Sequence, residues 1–139
     1  ALTVSLTCNH PSPMADAADI AIAAVVGPEV LTGSTRLKAG TAQKLILNMI
    51  STGTMVRLGK TYGNLMVDVA QHNVKLQERA ERIVAQACNV DDETAAAALT
   101  DADRDIRAAI VRLELGCEPD TAKERLVAAK GDIRLAISS

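Results

Sequence analysis

The chain has 139 residues, 48% of them apolar, and a formal net charge of −2, enough for one domain or for a half-domain plus a small helical module. Tyr62 is the sole aromatic residue, which excludes the stacking platform of a single-stranded nucleic-acid binder, and the slightly acidic balance excludes a general polyanion binder. The most apolar stretch, Leu45–Ile50, falls far short of the roughly 18 residues of a membrane span.

Leu2–Thr7 reads as a strand rich in β-branched residues, closed by the turn residues Cys8 to Pro13. Met14–Ala18 is a short link, and Asp19–Val26 is a second apolar run bounded by Gly27 and Pro28. Continuous rather than alternating apolarity fits strands buried on both faces of a parallel sheet. The short link predicts that the two strands do not pair directly, because parallel neighbours need a longer crossover. From Ser34 to Gly59 the pattern is helical. Ala42, Leu45, Met49, Thr52 and Val56 form one stripe, with Ile46, Ile50 and Gly53 beside it. So wide an apolar arc predicts burial on most sides, with Thr32 or Ser34 capping the start. Tyr62–Asn64 interrupts the pattern. A second helix is expected over Asn73–Ala87, with Leu76, Ala80, Ile83, Val84 and Ala87 facing a core and Lys75, Glu78, Arg79, Glu81 and Arg82 solvated.

The last third contains an internal repeat. Thr94–Ile110 and Thr121–Ile137, offset by 27 residues, share T-A-x3-L-x2-A-x2-D-I-R-x-A-I. Each copy reads as helix, tight corner, helix. Thr121 and Glu124 have capping-box spacing, Gly131 suits a left-handed helix end, and Asp132 suits the next N-cap.

Chemistry concentrates in Gly27–Lys44, GPEVLTGSTRLKAGTAQK. A strand end, a Pro turn, a hydroxyl-rich loop and two cations lead into a long helix. Backbone N–H groups at a helix N-terminus favour an anion, and Arg36 and Lys38 offer charge-assisted hydrogen bonds. Ser34, Thr35, Arg36 and Lys38 are therefore the candidate phosphate or sugar ligands. Glu29, at the carboxyl end of a strand where ligands of open α/β sheets collect, is a candidate for sugar hydroxyls. His10 and Cys8 are weaker rim candidates. Lys60, Tyr62, Asn64 and Asp68 form a polar interruption that either meets a subunit partner or ties down its own loop. Cys8, Cys88 and Cys117 show no CxxC spacing and read as reduced, cytoplasmic thiols. His10 and His72 lie far apart and no Cys/His cluster has ligand spacing, so no metal and no other cofactor is expected.

Gly27–Lys44 resembles the signature of the N-acetylmuramic acid 6-phosphate etherases, which they share with the glucokinase regulatory proteins. Both belong to the sugar isomerase (SIS) superfamily of phosphosugar-binding domains. Leu45–Asn73, LILNMISTGTMVRLGKTYGNLMVDVAQHN, resembles the etherase continuation of that helix, and the tail also looks alike. The resemblance implies an α/β fold: the C-terminal part of a SIS-type three-layer parallel-sheet domain over 1–70, then a helical tail over 71–139. The tail repeats are similar to the small three-helix ubiquitin-associated fold, here without any role in ubiquitin binding. An etherase of this kind is roughly twice as long, and its catalytic glutamates are expected upstream of Ala1. The implied activity is a carbon–oxygen lyase reaction of peptidoglycan recycling, with Glu29, Ser34, Thr35, Arg36 and Lys38 as substrate-binding positions. The implied partners are a phosphosugar and a second subunit in a homodimer, or a companion chain carrying the other half; neither nucleic acid nor membrane is among them. The alternative is a non-catalytic phosphosugar-sensing module, and a third reading is a helical assembly module.

Overall fold

The structure, a computed structural model, describes residues 1–139. It is a mixed α/β chain with seven helices and a small parallel sheet, and it divides into two compact units, Ala1–Gly53 and Thr54–Ser139.

The first unit holds β1 (Val4–Thr7), α1 (Pro13–Asp16), β2 (Ile20–Ala23) and most of α2 (Lys38–Arg57). Contrary to the expectation from the short link, β1 and β2 pair directly and in parallel, with Val4 opposite Ile20 and Thr7 opposite Ala23. The connection Cys8–Asp19 is about the dozen residues that a parallel crossover requires, and the single turn of α1 fills it. Asp19 fastens the entry of the pair: its Oδ2 accepts from Thr3 N and Thr3 Oγ1, both at 2.8 Å. Those N–H and O–H donors hold the Asp19 carboxyl below its usual range.

The expected two-faced burial of the strands is not found here. Ser5 and Thr7 are the buried residues of β1, whereas Val4 and Ile20 are half-exposed. The Ser5 hydroxyl is buried with no hydrogen-bond partner. Helix α2 departs from expectation in the same way. No residue of α2 is buried, and Leu45, Leu47, Met49, Ile50, Met55 and Val56 are exposed. Two four-residue strands are too small to wrap a helix whose apolar residues encircle it.

The second unit holds a hairpin and a helical array. β3 (Thr61–Tyr62) and β4 (Leu65–Met66) pair antiparallel around Gly63–Asn64, with Gly63 at φ +60 as such a tight turn requires. Lys60 and Asp68 form an ion pair across the base of the hairpin, and Val67 N donates to Lys60 O at 3.1 Å. This polar interruption is thus tied down by its own bonds at Lys60, Val67 and Asp68. Helices α3 (Val74–Cys88), α4 (Asp92–Asp101), α5 (Ile106–Leu115), α6 (Pro119–Ala128) and α7 (Ile133–Ser138) follow. They enclose one core that includes Val84, Leu99, Ile110, Val111 and Ile133. Helix α3 buries Ala80, Ile83 and Val84 and is capped by Asn73, whose side chain accepts from Leu76 N at 3.0 Å. Its charged face is not wholly solvated: Glu81 is half-buried and pairs with Arg104 at 3.0 Å.

The corner α4–α5 and the corner α6–α7 fold alike. Arg104 N donates to Leu99 O and Gly131 N to Leu126 O, both at 2.8 Å, and two successive residues in each corner are left-handed: Asp103 and Arg104, then Lys130 and Gly131. Asp105 caps α5 and Asp132 caps α7. The capping box expected at Thr121 and Glu124 is absent, because Pro119 already starts α6 and the N-cap position falls on Glu118, which makes no side-chain cap bond.

Candidate functional site

The loop Ala24–Leu37 leaves the carboxyl end of β2 and enters α2. Gly27, at φ +72, turns the chain out of the strand. Ser34 N donates to Leu31 O at 3.0 Å with Gly33 at φ +86, the third-position conformation that a type II turn reserves for glycine. Gly40 N then donates to Thr35 O at 2.9 Å, and a Cβ at Gly40 would stand 3.2 Å from that oxygen, so the loop closes on the first turn of the helix.

Helix α2 begins at Lys38, not at Ser34, and neither Thr32 nor Ser34 caps it. The cap comes from nine residues upstream in sequence. Glu29 Oε1 accepts from Lys38 N and Ala39 N at 3.1 Å, and Glu29 Oε2 from Lys38 N at 3.1 Å. These N–H groups, first Ala39 and then Lys38, lower the Glu29 carboxyl below the usual glutamate range, with a smaller contribution from the Lys38 charge. A carboxylate thus sits where the helix dipole and unpaired donors favour negative charge.

The start of α2 is fastened to the carboxyl end of β1. Cys8 Sγ lies 3.7 Å from Ala39 O, and Gln43 Nε2 donates to Leu6 O at 3.4 Å. The hydroxyl loop therefore stands outside the carboxyl ends of a parallel pair, where ligands of open α/β sheets bind. Ser34 is half-buried; Thr35, Arg36 and Lys38 are exposed. The Arg36 and Lys38 side chains make no ion pair and their donors are unspent. Two hydroxyls, two cations and the surrounding loop can receive a phosphate or a polyhydroxylated group.

Among the sequence candidates, the structure brings Glu29, Lys38 and the Ser34–Arg36 loop to one place. His10 is exposed on the β1–α1 turn, and Cys8 contacts the first turn of α2 through a backbone carbonyl rather than lining a reactive site. Gln43 was not singled out from sequence. Its helix position gave no signal, since only the fold brings it to Leu6 O. No group of three or more His, Cys, Asp or Glu side chains is placed to hold a metal ion, and no helix is long and apolar enough to cross a membrane.

No protein-family model matches the chain. Individual relatives do. It is 54% identical over 139 residues to a protein of Mycolicibacterium smegmatis named N-acetylmuramic acid 6-phosphate etherase, covering 100% of this chain and 47% of that protein. Proteins of the same name from Rubrobacter xylanophilus and Clostridium beijerinckii are 58% and 55% identical over 137 residues, covering 99% of this chain and 45% of each. The chain spans less than half the length of the curated relatives it matches.

Proposed function

We propose, from the premise that this chain is homologous along its whole length to the C-terminal part of the N-acetylmuramic acid 6-phosphate etherases, that it supplies the phosphosugar cradle of such an enzyme. The reaction is cleavage of the D-lactyl ether of N-acetylmuramic acid 6-phosphate, giving N-acetylglucosamine 6-phosphate and D-lactate. A base removes the proton at C2 of the open-chain sugar, an acid assists the departure of lactate, and water adds to the unsaturated intermediate. That is general acid–base work for carboxylates, which this reading assigns to the remaining half of the family length. Ser34, Thr35, Arg36 and Lys38 take the phosphosugar, and Glu29 shapes the site with them.

The observation that carries the cradle is the loop itself: hydroxyls and free cations held at the carboxyl ends of β1 and β2 by Glu29, Cys8 and Gln43. In this reading residues 1–70 complete a SIS-type domain, and the tail repeats over 94–110 and 121–137 form a ubiquitin-associated-like helical module. The exposed apolar residues of α2 support coverage by further chain, from the rest of a family-length polypeptide or from the second subunit of a homodimer. The setting is the cytoplasm, in recycling of cell-wall sugars.

The test is release of D-lactate from N-acetylmuramic acid 6-phosphate by a family-length protein containing this chain. Arg36→Ala is expected to raise KM about tenfold or more, because a charge-assisted phosphate contact is lost, while Lys75→Ala, at an exposed position of α3, leaves turnover unchanged. Lactate release indifferent to Arg36→Ala and Ser34→Ala would remove the cradle. Phosphosugar binding without lactate release would favour the sensing module.

A further inference from the structure

Resting on the phosphosugar reading above and deepening it, we propose that Glu29 is a positioning residue. Its carboxylate is the resident anion of the α2 N-terminus and clamps the Val30–Leu37 loop, so that a ligand phosphate is received by Ser34, Thr35 and Arg36 and not by the backbone of α2.

Two N–H groups, those of Lys38 and Ala39, make three contacts of 3.1 Å to this one carboxylate. These contacts use the donors that would otherwise greet an anion at the start of the helix. A phosphate arriving there would meet a like charge at contact distance and would have to evict Glu29. Ser34, Thr35 and Arg36 offer hydroxyls and a free cation with no such competitor. The clamp also fixes shape. Between Glu29 and Lys38 the loop is held by the Leu31–Ser34 turn alone, with the Gly40 N to Thr35 O bond just beyond. Joining Glu29 to the first two amides of α2 closes the segment into a compact loop whose ends are tied. Lys38 is the charged side chain whose field reaches Glu29. An aspartate is one methylene shorter, so on the same backbone its carboxylate would stand farther from the two amides.

The experiment follows the Lys38 and Ala39 amide resonances of the full chain through the carboxyl range of pH, then under titration with inorganic phosphate. It uses the native chain, Glu29→Ala and Glu29→Asp. In the native chain both amides are expected to move together, with one midpoint below the ordinary glutamate value. In Glu29→Ala, hydrogen exchange over residues 30–39 is expected to quicken about tenfold as the loop loses its clamp, and phosphate should reach the two vacated amides at about a fifth of the native concentration. Glu29→Asp should fall between. A gain of phosphate binding is a result that loss of a merely structural contact would not give.

Two native amides that ignore the carboxyl titration would overturn the proposal, as would phosphate binding that weakens or stays unchanged in Glu29→Ala. If Glu29→Ala does not fold, the native titration and Glu29→Asp decide. No sugar is used, so failure of the etherase assay with a positive amide titration would sink the phosphosugar reading and leave the clamp standing.

Discussion

Helices α2 and α3 are both long and rich in aliphatic residues, yet one buries nothing and the other seats a core. In α3 the apolar residues share one stripe, so a single layer of neighbours suffices to bury Ala80, Ile83 and Val84. In α2 they run round the circumference, and a helix apolar on all sides requires material on several. The same contrast separates the two units. Every buried hydrophobic residue lies between Val67 and Ala136, whereas the buried residues of the first unit are Ser5 and Thr7. The helical unit is stabilised from within. The unit that carries the candidate site relies on hydrogen bonds at its strand ends and loop, and leaves its apolar surface exposed.

The strongest challenge to that contrast is to remove equal volumes from each side of it. Leu99 and Ile110 are fully buried, and Leu99→Ala or Ile110→Ala is expected to destabilise the helical unit by about 3 kcal/mol, the middle of the range for buried aliphatic truncations. Met49 in α2 is 64% exposed, and Met49→Ala is expected to cost less than about 1 kcal/mol, as exposed substitutions do. Urea unfolding followed by helical circular dichroism measures both. Comparable losses at Met49 and Leu99 would mean that α2 is covered in solution, which would itself locate the missing contacts.

Much of the helical unit was legible because its signals are local. The α3 stripe, the Gly131 corner and the Asp132 cap each involve residues a few positions apart, and each lies where the spacing predicts. The start of α2 was not legible. Its cap reaches across nine residues from Glu29, and a long-range carboxylate leaves no periodic trace, so the nearer hydroxyls Thr32 and Ser34 were the natural but incorrect choice. The pairing of β1 with β2 was misread because one turn of helix shortened the crossover to its lower limit. The loop residues of the site were singled out by chemistry, but Gln43 was not, since its partner Leu6 O is distant in sequence.

The two corners sharpen the picture within the helical unit, at an intermediate size of effect. The second corner places Gly131 at φ +83, and the first places Arg104 at φ +65, where a side chain is disfavoured. Arg104 compensates through its contacts. Its Nε donates to Gln71 Oε1 at 2.9 Å, its carbonyl accepts from Gln71 Nε2 at 2.7 Å, and its guanidinium pairs with Glu81. Arg104→Ala keeps the backbone strain and loses the side-chain bonds, for an expected cost of about 1–2 kcal/mol after discounting for partial exposure. Arg104→Gly loses the same bonds but relieves the strain, and should be about 1 kcal/mol more stable than the alanine variant. Gly131→Ala introduces that strain and brings a Cβ within 3.2 Å of the Arg107 guanidinium, a flexible group that can yield, so a loss of about 1–2 kcal/mol is expected. Thermal unfolding of the three variants gives the order; an alanine variant as stable as the glycine variant at position 104 would remove the strain argument.

The smallest effect is the acid response of the same unit, and its sign follows from two carboxylates. Asp91 is held below the ordinary aspartate range first by the Thr94 N–H and then by the Thr94 side chain. Asp103 is held below it by its hydrogen bond and ion pair with Lys123. A depressed folded-state pKa contributes stability that is present above the unfolded value and is lost as pH falls through the folded value. The helical unit should therefore hold its urea midpoint from neutrality down to about pH 4 and lose a little below it. Asp91→Asn should flatten part of that loss, since an asparagine caps a helix about as well as an aspartate and does not titrate. Lys123→Gln should flatten the part due to Asp103 and leave the neutral midpoint almost unmoved, because the pair is exposed. A midpoint that falls equally steeply in both variants would assign the acid response to other carboxylates of the helical unit, among them the Asp101 that pairs with Arg112 and the Glu81 that pairs with Arg104.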